Sequence, residues 1–287
     1  MWIADKWEDY EIIDTSLGEK LERWGKYTLV RPDPQVIWNT EKKNPLWKRA
    51  DASYKRSSTG GGAWENSKLP ESWTVRYRDL TFLIKPMGFK HTGIFPEQAA
   101  NWDFCRDLIE KAGRPIKVLN LFAYTGGASV ACAKAGAAVC HVDASRGMVA
   151  QAKENARLSG LAEAPIRYIV DDCKKFIERE IRRGNLYDGI IMDPPSYGRG
   201  PTGEVWKIEE SIDSFVELTS RVLSKNPLFF ILNSYTTGLS ASTMKYITDT
   251  RLLSKYKGKS RAEELGLPVL DSGLALPCGS TVRVVFD

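Results

Sequence analysis

Hydrophobic and polar positions change their period along the chain, and this change divides the sequence into two parts. Before residue 90, Tyr10–Asp14 is a candidate strand, and Trp73–Arg78 alternates apolar and polar residues, which is the pattern of a half-buried strand. From residue 117 onward, short apolar runs alternate with segments whose apolar residues recur at helical spacing. Alternating strands and helices predict a parallel sheet covered by helices, so we expect an α/β fold.

The pattern predicts two domains, a small β-rich domain over residues 1–90 and a larger domain over residues 91–287. The strands and hairpins expected in the first domain are Tyr10–Asp14, Leu21–Val30 with a turn near Gly25, Val36–Trp38, Trp73–Arg78 and Leu80–Ile84. A helix with apolar residues at Ala100, Phe104 and Leu108 should then lead into the sheet, ending near Gly113.

The segment over residues 39–68 differs from its surroundings in charge. Tryptophan and tyrosine interleave with the basic residues, and Ser57–Gly62 has the composition of a flexible linker. This pattern is typical of a loop that contacts nucleic acid, and a solvated surface loop fits it equally well. The tryptophans of the first 64 residues also have two interpretations, since they could stack on unpaired bases or fill a small β core. The basic residues are Lys42, Lys43, Lys48, Arg49, Lys55 and Arg56.

A strand, a glycine turn and a helix follow one another over residues 117–135. Val118–Phe122 is an apolar run, Tyr124–Gly127 interrupts it, and Ala128–Ala135 is compatible with a helix. Strand, turn and helix in this order build a nucleotide-type site. The glycines match neither a dinucleotide fingerprint, since Gly126 and Gly127 are adjacent, nor a P-loop, since no Gly-Lys-Ser/Thr follows.

Acidic residues end two later apolar runs. Ala137–Val142 ends on Asp143, about 20 residues after the glycines, where a carboxylate can bind ribose hydroxyls or cap a helix. Tyr187–Met192 ends on Asp193–Tyr197, which reads Asp-Pro-Pro-Ser-Tyr. The remaining strands and helices are predicted at Ile166–Val170, Leu228–Leu232, Thr281–Phe286, the helix capped by Ser145, the stripe from Ile212 to Leu223, and Leu239–Leu253.

Together these motifs resemble the class I S-adenosylmethionine-dependent methyltransferases, over residues 75–287. Phe122–Gly127, Asp143, Asp172 and Asp193–Tyr197 fall in that family's order and spacing. Within the class, the chain looks most like the large-subunit ribosomal-RNA methyltransferases that modify cytosine C5 or guanine N7. The resemblance implies a doubly wound, mostly parallel, Rossmann-like sheet of seven strands, with Thr281–Phe286 antiparallel.

S-adenosylmethionine is the cofactor that the resemblance implies. Asp143 would accept from the ribose and Asp172 from the adenine amino group, with Asp171 as its rival. Phe95 and Gln98 match a stretch that packs on the cofactor in the related enzymes, although Ala99 replaces an arginine there. The cofactor-binding residues implied are Phe95, Gln98, Asn120, Phe122, Ala123, Tyr124, Thr125, Gly126, Gly127, Asp143, Ala144, Ser145, Asp172, Cys173 and Asp193.

The resemblance places the catalytic residues after the fourth and fifth strands. Pro194 and Pro195 lack backbone N–H groups and stiffen the turn, so carbonyls after Asp193 remain for a substrate amine. Tyr197 could stack on a flat base, and Asn233 is expected to contact the base edge. Gly198–Gly203 is predicted to form a mobile loop, with Arg199 and Lys207 available to phosphate or lying on a plain surface turn.

Cysteine positions bear on the methylated atom. Cytosine C5 needs a thiolate that attacks C6, whereas a base nitrogen already carries a lone pair. The two places where the related C5 enzymes keep this cysteine are occupied by Ser196 and Asn233–Tyr235. Cys278 stands apart in the final hairpin, where we expect a buried free thiol. The sequence therefore favours methyl transfer to nitrogen.

Composition permits a polyanionic partner without requiring one, because the net charge is +5 and the isoelectric point about 8.8. No apolar run approaches the ~20 residues of a membrane span, and the N-terminus lacks a signal-peptide pattern. The five cysteines form no Cys-x-x-Cys and the two histidines have no partner pattern, so we predict a cytoplasmic protein without a metal site.

We therefore expect a methyltransferase that modifies a base nitrogen in RNA, with ribosomal RNA as substrate and a homodimer as a possible assembly. Three alternatives stay open from the sequence. The first is a small-molecule or protein N-methyltransferase, which would have no use for the basic segment. The second is a cytosine-C5 enzyme with an atypically placed cysteine, and the third is a non-catalytic RNA-binding module.

Overall fold

The computed structural model describes residues 1–57, 61–65, 67–88, 90–199, 205–236 and 238–287. These residues form two compact units. The N-terminal unit contains Trp2–Ala99 and Leu265–Cys278, and the C-terminal unit contains Met1, Ala100–Glu264 and Gly279–Asp287. The sequence pattern did not predict the grouping of Leu265–Cys278 with the first unit, and the division at residue 90 stays a prediction.

Antiparallel hairpins build most of the N-terminal unit. Its five-stranded sheet has the order β2 (Tyr10–Ser16), β3 (Glu19–Trp24), β4 (Tyr27–Pro32), β5 (Ala52–Arg56) and β6 (Gly62–Glu65), and β7 (Trp73–Tyr77) pairs with β8 (Leu80–Ile84) in a separate hairpin. Alternate residues such as Leu21, Leu29 and Phe82 are fully buried, as the period of two predicts. The remaining elements of this unit are β1 (Trp2–Ile3), α1 (Leu46–Arg49) and a 3₁₀ turn (Pro96–Gln98).

Two predictions in this unit are wrong. Val36–Trp38 is not a strand, because its carbonyls accept hydrogen bonds from the turn after β2, Leu17 N to Trp38 O and Gly18 N to Val36 O. Prolines at positions 32 and 34 prevent a regular ladder before it. The segment over residues 39–68 is not one loop, since it contains α1, β5 and β6. Residues 58–60 of the predicted flexible run lie outside the described residues.

The C-terminal unit is a parallel sheet with helices. Its strands are β9 (Lys117–Leu121), β10 (Ala138–Asp143), β11 (Ile166–Val170), β12 (Gly189–Met192), β13 (Tyr197–Arg199), β14 (Val205–Lys207) and β15 (Phe229–Ser234), together with the parts of β16 (Gly258–Pro268) and β17 (Ala275–Phe286) that lie outside Leu265–Cys278. Strands β13 and β14 form a separate antiparallel hairpin. Strands β11, β10, β9, β12 and β15 are mutually parallel neighbours, and β17 pairs antiparallel with β15. This confirms the predicted α/β fold with a mostly parallel sheet and an antiparallel last strand.

The sheet has eight strands rather than seven, because the two-residue β1 pairs with the outer end of β16 at Leu265 and Gly266. Strand β16 was also not predicted from the sequence. Charged residues such as Lys259, Arg261 and Glu263 occupy alternate positions of this strand. The strand therefore contains no apolar run by which the sequence pattern could have identified it.

Helices cover both faces of this sheet. Val118 of β9 packs in one apolar cluster with Cys132 and Ile231, while Leu119 packs in another with Phe176 and Phe215, as alternate strand residues must. The helices are α2 (Ala99–Lys111), α3 (Gly127–Lys134), α4 (Arg146–Leu158), α5 (Cys173–Arg183), α6 (Ile208–Ser220) and α7 (Ala241–Thr248), which continues as a π turn over Asp249–Leu253. In the part of the chain that the structure describes, none of the helices has the length and hydrophobicity to cross a membrane.

Candidate active site

The turn after β9 is conformationally strained. Phe122 has φ of 54° and Tyr124 has φ of 50°, and Gly126 follows at 83°. A positive φ is uncommon for a residue with a side chain, and such strain concentrates at functional sites. Ala123 N donates to Val142 O at 3.0 Å, so the turn is tied to the end of β10. The turn is therefore held in a strained conformation at the carboxyl edge of the sheet.

Gly126 is required by both packing and conformation, and Gly127 is required by packing. A Cβ on Gly126 would lie 2.8 Å from Ala152 Cβ on α4, and one on Gly127 would lie 2.5 Å from Trp102 Cζ2 on α2. Buried Asn155 of α4 donates to Thr125 O at 2.8 Å and so fixes the turn against that helix. The two glycines thus let the backbone pass between α2 and α4.

Asp143 is bound on both carboxylate oxygens by backbone N–H groups. Oδ2 accepts from Tyr124 N and Oδ1 accepts from Ser145 N, each at 2.8 Å. Ser145, as the pattern predicts, caps α4 by accepting from Met148 N. The capping alternative for Asp143 is therefore not supported. Each carboxylate oxygen can accept a further hydrogen bond, which leaves capacity for a ligand hydroxyl.

Asp171 and Asp172 differ in how their charges are used. Asp171 forms an ion pair with Arg179, whereas exposed Asp172 caps α5 by accepting from Lys175 N at 2.9 Å. Next to them, buried Cys173 accepts from Phe122 N at 3.3 Å through its sulfur, and burial raises the pKa of its thiol. In the part of the chain that the structure describes, Asp172 is the one of the two rival acids whose carboxylate is not paired with an arginine.

A buried polar network lies under the turn, and the sequence pattern did not predict it. Asn120 Nδ2 donates to Ser129 Oγ at 2.9 Å, and Ser129 Oγ lies 3.0 Å from His141 Nδ1. Burial lowers the pKa of His141 to about 4, so its ring is neutral at pH 7. The network joins β9, α3 and β10. The only sequence signal for it was a polar residue inside each of two apolar runs.

The Asp193–Tyr197 segment follows β12 and is anchored by hydrogen bonds to the carbonyls of Pro195 and Ser196. Trp206 Nε1 donates to Pro195 O at 2.6 Å, and Ile208 N donates to Ser196 O at 3.1 Å. Pro194 is buried, Asp193 is half-buried, and Tyr197 is 51% exposed at the start of β13. The aromatic ring after the prolines is therefore presented to solvent by a braced loop.

An aromatic cluster joins this segment to the turn after β9. The ring centroid of Trp206 lies 5.9 Å from that of Phe122 and 5.4 Å from that of Phe215. Phe122 is itself one of the strained residues of the turn. The two motifs singled out in the sequence are thus brought together through side-chain packing.

Asn233 lies beside Asp193 at the carboxyl edge of the sheet. Met192 of β12 and Leu232 of β15 are register partners in a parallel pair, so the residues that follow them are neighbours. Asn233 is only 2% exposed, and its Oδ1 accepts from Asn101 Nδ2 at 3.0 Å. The structure therefore places the candidate acid and the candidate amide side by side.

Several residues of the predicted site lie in the N-terminal unit or outside the described residues. Phe95 and buried Gln98 lie at the 3₁₀ turn of that unit, and half-buried Cys278 ends its last segment. Their predicted roles stay predictions. Residues 200–204 of the predicted mobile loop and the side chain of Arg199 lie outside the described residues. Lys207 forms an ion pair with Glu210 at 2.7 Å.

Comparisons with known proteins agree with this geometry. The family model of S-adenosylmethionine-dependent methyltransferases matches residues 48–209, more than half of the chain. The crystal structure of an S-adenosylmethionine-dependent methyltransferase from Agrobacterium tumefaciens is 37% identical, with a TM-score of 0.92, and the match covers 99% of this chain and 93% of that one.

Curated relatives carry the name ribosomal RNA large subunit methyltransferase K/L. The protein of Shewanella sp. strain MR-4 is 29% identical over 66% of this chain and 25% of its own length. That of Shewanella baltica strain OS155 is 34% identical over 46% of this chain and 17% of its own length. This chain thus matches a quarter or less of the length of these relatives. The matched family model and the structural likeness nevertheless cover the candidate site, and the chain belongs to the S-adenosylmethionine-dependent methyltransferases.

Proposed function

We propose that this methyltransferase transfers the methyl group of S-adenosylmethionine to a base nitrogen in RNA, and that ribosomal RNA is its substrate. The curated relatives, which are named as ribosomal RNA methyltransferases, support the substrate class. A cytoplasmic location and a homodimer are further proposals that rest on the sequence alone.

The chemistry of the residues at the strand ends fits the cofactor. We assign Asp143, whose two oxygens keep lone pairs, to the ribose hydroxyls, and Asp172 and Cys173 to the adenine side. The turn Phe122–Gly127 would lie along the methionine part. Asn120, Ala144 and Ser145 complete this proposed set, although the side chain of Asn120 is already used beneath the turn. The bound cofactor supplies an electrophilic methyl group on a sulfonium.

The identity of residue 196 carries the proposal of a nitrogen acceptor. Ser196 stands where a thiol would be needed, and its hydroxyl accepts from Thr236 Oγ1 at 2.5 Å. The four cysteines that the structure places in the C-terminal unit, Cys105, Cys132, Cys140 and Cys173, are all buried. A base nitrogen has its own lone pair, so orientation and electrostatics suffice without a covalent enzyme intermediate.

In this proposal the acceptor base lies at the carboxyl ends of β12 and β15. Tyr197 stacks on the flat base, the rigid Asp193–Pro195 carbonyls and carboxylate orient the attacking nitrogen, and Asn233 holds the base edge. The braced loop supports this division of roles, because a fixed backbone loses little entropy when the base binds.

The acceptor can be identified directly. The purified protein is incubated with S-adenosylmethionine carrying a tritiated methyl group and with ribosomal RNA from a strain that lacks the gene. We expect label in the large-subunit RNA, at a nucleotide whose mass and retention match an N-methylated base. Label in 5-methylcytosine would refute the nitrogen acceptor, and label only in proteins or small molecules would refute RNA as substrate. Cofactor binding without transfer to any substrate would favour the non-catalytic alternative.

A further inference from the structure

A chain of three side chains within the C-terminal unit ends on Asn233. Arg283 of β17 donates from Nε to Asn101 Oδ1 at 2.8 Å and from Nη2 to Ala100 O at 2.9 Å. The Nδ2 atom of Asn101 donates to Asn233 Oδ1 at 3.0 Å and also to Thr281 Oγ1 at 3.3 Å. Both asparagines are 2% exposed, so these bonds are shielded from water.

The arginine fixes the direction of every bond in this chain. A guanidinium has donors and no acceptor, so Asn101 must turn its amide oxygen toward Arg283. Its NH₂ group then faces Asn233, which in turn must present its own oxygen to Asn101. Burial lowers the pKa of Arg283 to about 10, yet this leaves the side chain charged at pH 7. The orientation of an asparagine amide, often ambiguous, is here set by a cation.

The remaining amide group of Asn233 therefore points away from Asn101. Asn233 stands at the carboxyl end of β15, next to the residue that follows Met192 on β12. Among the described residues, its Nδ2 atom has no hydrogen-bond acceptor. A donor held in one orientation is thus available where the acceptor base is proposed to bind.

We propose that Arg283 and Asn101 are positioning residues, which lock the Asn233 amide with its NH₂ group toward the acceptor base. The site then selects a base edge that carries a hydrogen-bond acceptor, as guanine does at O6, over an edge that carries an amino group, as adenine and cytosine do. The opposite amide orientation would give the reverse preference. The inference rests on the proposed function for its substrate, but the amide orientation is independent of it.

The Asn101→Asp substitution reverses the direction of the hydrogen bond to Asn233 without removing the link between the three side chains. The new carboxylate still accepts from Arg283 but offers no donor to Asn233, whose amide must flip so that NH₂ faces inward. In protein labelled with ¹⁵N-asparagine, the Asn233 NH₂ protons of the wild type should exchange with solvent faster than those of Asn101, and the substitution should slow Asn233 exchange. Slow exchange at Asn233 in the wild type, unchanged by the substitution, would overturn the proposed orientation.

Kinetics test whether that orientation matters for transfer. We expect Asn101→Asp to lower kcat on RNA by about 5- to 150-fold, the range equivalent to one base-edge contact, with cofactor Kd unchanged. In an Asn233→Ala background, Asn101→Asp should produce no further loss, because its effect passes through Asn233. An equal loss in both backgrounds would show a merely structural role. Exposed Asn226→Asp, just before the same strand, is the control for added charge and should keep the wild-type rate.

A second variant guards against misfolding. If the Asn101→Asp protein does not fold, Asn101→Ala removes the link without adding a charge and must lower kcat while leaving cofactor Kd unchanged. Wild-type kcat for that variant would refute the positioning role. If the wild type methylates no RNA, the proposed function fails, while the exchange measurement still decides the orientation of Asn233.

Discussion

The strand-end site and the basic segment over residues 39–68 were both singled out in the sequence, but their polar groups are held differently. At the strand ends, Asp143 accepts from two backbone N–H groups fixed by the fold. In the basic segment, Lys42 and Lys55 approach the same carboxylate, Glu19, at 2.6 and 3.5 Å. A parallel sheet dictates the first geometry, whereas partly exposed ion pairs, which stabilise little, set the second.

The tryptophans of the first 64 residues extend this contrast. Trp24 is fully buried, Trp47 donates to Asp14 at 2.8 Å, and Trp64 donates to Met87 O at 2.9 Å. Lys42 lies 4.0 Å from the ring centroid of Trp47. These rings serve the fold of their unit, which favours the packing interpretation over stacking on bases. The comparison thus predicts large effects from changes at the strand ends and smaller ones from the basic segment.

Asp193→Ala should have the largest effect. Loss of the group that orients the acceptor is expected to lower kcat by ~10²-fold or more, since such groups act mainly in the transition state, with little change in cofactor Kd. Single-turnover methylation and calorimetric titration measure the two quantities. Asp213→Ala, which removes a surface ion pair with Arg251, is the control and should keep the rate. An equal loss in both variants would remove Asp193 from the catalytic set.

Gly126→Ala should destabilise the protein by about 2–5 kcal/mol, the sum of a left-handed backbone for alanine and an overpacked contact with Ala152. Gly136→Ala is the matched control, because Gly136 also has a positive φ, 96°, but a Cβ there meets no atom of the described residues within 4 Å. We expect this control to be destabilised by about 1–2 kcal/mol. Urea denaturation of both variants compares them, and equal destabilisation would show that packing at the turn is unimportant.

Asp143→Ala should weaken S-adenosylmethionine binding by about 1.5–3 kcal/mol, which is about 10- to 150-fold in Kd, because charge-assisted hydrogen bonds are removed. Asp171→Ala should leave Kd closer to the wild type, since that carboxylate is paired with Arg179. Calorimetric titration distinguishes them. Unchanged affinity in the Asp143→Ala protein would refute the ribose assignment.

The sequence predicted the strand-end residues well because their placement follows from sheet topology. Once Ala137–Val142 and Tyr187–Met192 are recognised as parallel strands, Asp143 and Asp193 must lie at the same edge. The Asn101–Asn233 contact could not be found this way, since 132 positions separate its partners and no local period relates them.

Elements without an apolar period were also beyond the sequence. Strand β16 presents charged residues at alternate positions, and the segment Val36–Trp38 looked like a strand although its carbonyls bond to a neighbouring turn. The strain at Phe122 and Tyr124 has no compositional signal either, because neither is a residue that favours positive φ. Tertiary contacts, rather than local propensity, decide all three.

Lys48 and Arg49 should affect RNA binding moderately. Both are exposed on α1, whereas Lys42 is paired with Glu19. If they bind phosphates, replacing both by alanine should reduce the slope of log affinity against log salt by about 0.7–0.9 for each phosphate that is no longer neutralised. Lys42→Ala and the exposed Lys43→Ala complete the set, and we expect the smaller change from Lys42. A slope unchanged in all of these variants would make this segment an ordinary surface.

Cys278→Ser should have the smallest effect. Burial raises the pKa of this thiol, and its sulfur donates to Leu276 O at 3.4 Å, so it is protonated at pH 7 and a poor nucleophile. We therefore expect near wild-type turnover, and no covalent adduct between the wild-type protein and RNA that contains 5-fluorocytosine, measured on a denaturing gel. Cytosine-C5 transfer requires such an adduct, because the thiolate must bond to C6 before C5 can accept a methyl group. An inactive Cys278→Ser protein together with a wild-type adduct would refute transfer to nitrogen. The essential nucleophile would then be a residue of the N-terminal unit rather than one of the strand-end residues.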